Sequence, residues 1–170
     1  MAGSEATSGS SGLSARWRRA LGAGAAIALM LCGCGSGSAT PVPIDQARAM
    51  SEEMLPPLQD ALLTGPDAQW TDGREQATTD VRGTCRWTPG DATAETAIPQ
   101  EKSTWMERRD AVNDVLEDHG FDAVWEPMQK NGTYGFSTSR EDGAGIALYA
   151  TKGGTVIRLF NVPVADGACE

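Results

Sequence analysis

From Phe121 onward the hydrophobic period of the chain is two, and it is interrupted only by residues that make tight turns. FDAVWEPM sets Phe121, Ala123 and Trp125 against Asp122, Val124 and Glu126, until Pro127 ends or bulges the run. Asn131-Gly132 is a hairpin signal, and TYGFSTS then alternates Tyr134, Phe136 and Thr138. Glu141-Asp142-Gly143 turns into GIALYAT, with Ile146, Leu148 and Ala150 on one face, and Lys152-Gly153-Gly154 turns again into TVIRLFNV. Connections this short join antiparallel neighbours, so the pattern predicts a four-strand meander. A sheet with one apolar face must bury that face against something.

Two amphipathic stretches can supply the cover. Ile44 to Leu63 places Ile44, Ala47, Met50, Met54, Leu55, Leu58 and Leu62 on one helical stripe, with Asp45 as a plausible N-cap. Pro56-Pro57 predicts a break or kink near Leu55. Ser103 to His119 is the clearest helix: Ser103 or Thr104 caps it, and Trp105, Val112, Val115, Leu116 and His119 form its stripe. Gly120 stands where a left-handed residue ends a helix. Between them, Gln69–Arg74 and Asp80–Trp87 read as strands. Val81, Gly83, Cys85 and Trp87 share one face of the second. Thr88-Pro89-Gly90-Asp91 reads as a turn, and residues 90–102 as a loop without period. The expected fold is α+β: a two-layer sandwich, an antiparallel meander sheet covered on one face by two helical regions.

Upstream, Arg16, Arg18 and Arg19 precede an uncharged run from Ala20 to Leu31, the order of a secretory signal. The run is about half the roughly 20 apolar residues that a spanning helix needs. Leu31-Cys32-Gly33-Cys34 looks like a bacterial lipobox, with Gly33 as the small residue before the acylated sulfur of Cys34. Leu31 is too large to serve Cys32 in the same way. The residues after Arg18-Arg19 match a twin-arginine signal poorly. The expected organisation is a removed signal peptide (1–33), a flexible tether (34–43) and a single domain (44–170). Lipid on Cys34 would hold that domain at the outer face of the cell membrane.

Removing residues 1–33 takes three arginines and one glutamate, leaving 137 residues with 11 basic and 22 acidic side chains, net charge −11. That length supports one core and not two. The acidity argues against nucleic-acid binding and for cationic partners or simple solubility. With Cys32 removed and Cys34 acylated, Cys85 and Cys169 remain in an oxidising compartment and are expected to pair. A catalytic thiol is the rival reading. Neither cysteine, however, has a helix start or a histidine beside it in sequence to lower its pKa.

The order of lipobox, helix, Gln69-Trp70 strand, lone mid-chain Cys85, helix ending in Gly120-Phe121, and a last strand before Cys169 resembles the small LppA-like lipoproteins of actinobacteria, most clearly over residues 69–169. The resemblance implies a cell-surface lipoprotein without an established enzymatic role. It offers no catalytic residue to carry over.

Side chains that could carry chemistry are few. His119 is the only histidine and stands at a helix end, where it complements the helix dipole. A triad or a zinc site would depend on it alone. Asp110, Asp114 and Asp118 share a helix face that cannot wrap a cation and reads as solvated. Trp105 and Trp125 lie on apolar stripes and read as core, whereas Trp70 and Trp87 are candidates for stacking against a ligand. Asp122 and Glu126 would share a strand face, and a glycosidase pair is the catalytic reading weighed for them against the plain solvent side of a strand. No cofactor, metal or catalytic set is expected. The sequence reads as a non-enzymatic envelope lipoprotein that binds an envelope protein or a wall glycan. A cell-wall hydrolase and a passive structural lipoprotein are the alternatives.

Overall fold

The structure is a computed structural model that describes residues 40–63, 68–80 and 82–169. The signal segment, Cys34 and most of the expected tether lie outside the described residues. Two helices, α1 (Ile44–Leu62) and α2 (Lys102–Asp118), pack on each other and on a sheet, an α+β sandwich as the patterning anticipated. The sheet is six-stranded and antiparallel. It comprises β1 (Trp70–Asp72), β4 (Gly90–Ala94), β5 (Met128–Lys130), β6 (Thr133–Ser139), β7 (Gly145–Thr151) and β8 (Gly154–Phe160), in the order β1-β4-β8-β7-β6-β5. A smaller sheet joins β2 (Gln76–Thr79), β3 (Cys85–Thr88) and β9 (Val162–Pro163), in that order.

Register decides which side of the large sheet is buried. Phe136 faces Leu148, and Leu148 faces Ile157, so these residues share a face with Ile146, Ala150 and Leu159, all buried. The helices press Met54, Leu58 and Leu62 of α1 and Trp105, Val112 and Leu116 of α2 into the same core. The Trp105 ring meets Phe136 edge-on, with centroids 5.5 Å apart. A side chain so enclosed cannot be trimmed cheaply: Leu148→Ala should cost about 2–5 kcal/mol.

Several local expectations are corrected. The helix α1 runs unbroken through Pro56 and Pro57. Both prolines are exposed, as are Glu52 and Glu53, whose carbonyls they leave without an amide donor, so water can take up the missing bonds. Asp45 is not its cap. The amides of Gln46 and Ala47 donate to the Pro43 carbonyl at 3.0 and 3.1 Å, while Asp45 pairs with Arg48. Neither Ser103 nor Thr104 caps α2, since the helix already begins at Lys102. Its end is as anticipated, with Gly120 N–H bonded to Glu117 O at 3.0 Å and Phe121 N–H to Leu116 O at 2.9 Å.

The strand expected at FDAVWEPM is an extended loop. The amide of Val124 donates to Asn113 Oδ1 on α2 at 2.8 Å, and its carbonyl accepts from Asn113 Nδ2 at 2.9 Å. Those two bonds tie the segment to the helix, and pairing with β6 begins only at Met128. The region 90–102 contains β4, which sequence read as turn and loop. Gly90 lets the chain step from the small sheet into the large one: its φ is +100°, and a Cβ there would sit 2.5 Å from the Gly73 backbone.

Both ends of the domain are gathered at the small sheet. Cys85 is disulfide-bonded to Cys169, as expected from the cysteine count. Val42, placed in the tether by sequence, forms a parallel bridge with Val164.

Candidate functional site

The helices cover one side of the six-stranded sheet, and no described element packs on the other. On that open side stand Thr71, Asp91 and Thr93 of β1 and β4, then Val156 and Arg158 of β8. Ala147 and Tyr149 of β7, Ser137 of β6, and Met128 and Lys130 of β5 complete it. The floor is low where β6 and β7 meet, because Gly135, Ser137 and Ala147 carry little or no side chain. This leaves a trough of about 480 Å³ walled by Met128 and Tyr149. At the other end of the face, where the small sheet turns away from β4, Arg74, Asp91 and Arg158 line a second hollow of about 420 Å³.

Arg158 connects the two hollows. Its Nε donates to Asp91 Oδ1 at 2.7 Å, and its guanidinium carbon stands 5.8 Å from the Tyr149 ring centre. The carboxylate beside it holds the Arg158 guanidinium pKa above its ordinary value. Phe160 seals the proximal end of the face by lying across Gly145, where a Cβ would fall 2.4 Å from the ring. The short, polar and aromatic side chains suit shape-based recognition.

The tryptophans are distributed otherwise than expected. Trp87 is 2% exposed, and its Nε1 donates to Glu75 Oε2 at 3.2 Å, so its ring face is not available to stack on a ligand. Glu75 is itself clamped by Arg48 at 2.7 Å, and this hydrogen bond holds its carboxyl below the ordinary range. Trp70 is half-buried against the core, and Trp105 is fully buried. Trp125, expected in the core, is 80% exposed, because the loop that carries it turns Val124 inward instead. Met128, three residues on, is the other large exposed hydrophobic side chain among the described residues, at 57%.

The remaining candidates stay apart. Asp110, Asp114 and Asp118 are exposed on α2, and among the described residues no cluster of His, Cys, Asp or Glu could hold a metal ion. His119 is partly exposed at the end of α2. Asp122 and Glu126 do not share a strand, and Glu126 forms an exposed ion pair with Lys102 at 3.0 Å, so the proposed carboxylate pair has lost the geometry that suggested it. Cys85 and Cys169 are joined, so neither offers a thiol. Among the described residues no helix is long and apolar enough to cross a membrane. The open face itself was missed in the sequence reading. The signal was the other register of the same alternation: Ser137, Ala147 and Tyr149 are the off-beat residues of strands assigned from their apolar beat.

No family model matches the chain, and no curated protein matches it. Among solved structures, a DUF4853 family protein from Actinomyces odontolyticus is similar over 75% of this chain and 74% of its own, with 12% sequence identity and a TM-score of 0.39. A likeness that loose carries no argument about function.

Proposed function

We propose that this chain is a lipoprotein of the cell envelope, anchored through Cys34 at the extracytoplasmic face of the membrane, and that its domain binds an envelope component on the open side of the six-stranded sheet. The observation that carries the binding reading is the uncovered face with its trough between Met128 and Tyr149. An antiparallel sheet can leave one side in water, but here that side also holds a concavity beside an exposed Met128. The anchor rests on the signal pattern, the lipobox at Leu31–Cys34 and the resemblance to LppA-like lipoproteins. The disulfide suits an oxidising compartment.

Two experiments test the two halves. Growth with an alkyne-bearing palmitate should label the wild-type protein and not Cys34→Ser. Labelling that survives in Cys34→Ser refutes the anchor. For the face, the full chain in detergent should co-sediment with isolated envelope, and Ser137→Trp, which fills the trough from an exposed position without changing its charge, should release it. Equal co-sedimentation of wild type and Ser137→Trp refutes the open face as the binding surface.

A further inference from the structure

The charges of the domain are divided between its two sides. On the helix side Glu52, Glu53 and Asp60 of α1 and Glu107, Asp114, Glu117 and Asp118 of α2 are exposed and take part in none of the ion pairs among the described residues. The helix cations do not balance them. Arg48, Lys102 and Arg109 are engaged by other carboxylates, and Arg108 donates to the Leu62 and Thr104 carbonyls at 2.8 and 2.6 Å. The open sheet side has the opposite balance. Arg74, Arg158 and Lys130 line its two hollows against the single carboxylate of Asp91, and Lys152 sits in the β7–β8 turn at the trough end. Lys130 and Lys152 form no ion pair among the described residues. A domain with twice as many acids as bases therefore lines the two hollows of one face with three cations and one carboxylate.

That face is also long. From β4 to β5 it crosses four interstrand steps, roughly 19 Å at the usual spacing. The Arg74 hollow, the Arg158–Tyr149 contact and the Tyr149–Met128 trough follow one another along it. Such a track fits a polymer better than a single small molecule. Tyr149 offers a ring to the apolar face of a sugar, and the exposed Ser137 offers a hydroxyl group to sugar hydroxyls, while the Thr71 and Thr93 hydroxyls bond each other at 2.9 Å.

Resting on the open-face reading above, we infer that the partner is an anionic polysaccharide, a glycan bearing carboxylate or phosphate groups, held across the sheet with its charges toward Arg74, Lys130 and Lys152. The acidic helix side would turn away from the same polymer, so charge fixes orientation as well as attraction. The proposed extracytoplasmic address favours a glycan over nucleic acid.

The test is affinity electrophoresis of the full chain in detergent through gels containing polygalacturonate or neutral dextran, with flotation on vesicles of phosphatidylcholine and phosphatidylglycerol alongside. Polygalacturonate should retard the protein and dextran should not. K130E/K152E, both at exposed positions, should melt at the wild-type temperature yet weaken retardation roughly tenfold or more, and added salt should do the same. No retardation of the wild type, or equal retardation of K130E/K152E, overturns the inference. Vesicle binding that K130E/K152E weakens, without polygalacturonate binding, overturns it in favour of a membrane surface. If polygalacturonate fails while Ser137→Trp still releases the protein from envelope, the anionic glycan falls and the open-face reading stands. If Ser137→Trp releases nothing, the reading falls with it.

Discussion

The Cys85–Cys169 bridge is the perturbation whose size can be worked most directly. The two residues are 84 positions apart, and cross-linking a loop of that length removes chain entropy worth about 4.6 kcal/mol at 25 °C. Cys85 is itself buried, and its carbonyl accepts from Val164 N–H at 3.0 Å, so the bridge sits where β3 receives the C-terminal segment. A domain of roughly 130 residues unfolds with an entropy near 0.27 kcal/mol per kelvin, so losing the bridge should lower Tm by roughly 17 °C. The assay is thermal melting by circular dichroism of the wild type with and without reductant, beside C85A/C169A. Reduced wild type and the double variant should melt together, well below the oxidised protein. Hydrogen exchange should lose protection first in β2, β3 and β9, while β6 to β8 keep theirs. A Tm shift under about 5 °C would refute the argument that the bridge acts by restraining the unfolded chain, and uniform loss of protection would refute the separate standing of the small sheet.

Other predictions are smaller in scope. Gly145→Ala should destabilise by about 1–3 kcal/mol in urea titrations, since its Cβ would meet the Phe160 ring. Phe160→Leu in the same background should restore part of that loss, and a strictly additive double variant would sink this account of the contact. Asp142 is pushed upward by burial, but hydrogen bonds from Arg140 and Ala144 N–H and the nearby Arg86 outweigh it, so its carboxyl lies below the ordinary 3.8. A lowered carboxyl stabilises the fold above its ordinary pKa and loses that contribution as pH falls through the folded value. Stability should therefore decline below about pH 4, less steeply in Asp142→Asn, as followed by melts across pH. Trp125→Ala should leave Tm unchanged within a degree or two, because an 80% exposed ring contributes little to the core.

The parts of the fold legible in sequence were those where one pattern had a single physical meaning. Strands β6, β7 and β8 alternate cleanly between turn residues, and α2 pairs a helical stripe with a terminating Gly120. What failed was judged from local pattern where a distant contact decided. FDAVWEPM alternates like a strand, but the Asn113 side chain claims the backbone of Val124. GDATA has no period because small Ala92 and Ala94 are enough to fill the core side of β4. Pro56-Pro57 reads as a break until both residues are seen to face water. Trp87 could have been placed correctly, since it was assigned to the same strand face as Cys85, and a bridged cysteine beside the core should have drawn its neighbour inward. The open face was hidden for a different reason: a binding surface made of Ser, Ala, Gly and one Tyr has no motif, only an arrangement.

The Val42–Val164 bridge has a mechanical meaning. Val42 N–H donates to Pro163 O at 3.3 Å, Ala165 N–H donates to Val42 O at 2.9 Å, and α1 starts two residues later. Tension drawn along the chain ahead of Thr40 meets this two-bond clasp before it can peel the first turn of the helix. The segment that receives the load is held in turn by pairing to β3 and, a few residues on, by a covalent link to it. A pull would thus be shared in shear among backbone bonds at the small sheet, leaving the wide sheet and its open face out of the line of force.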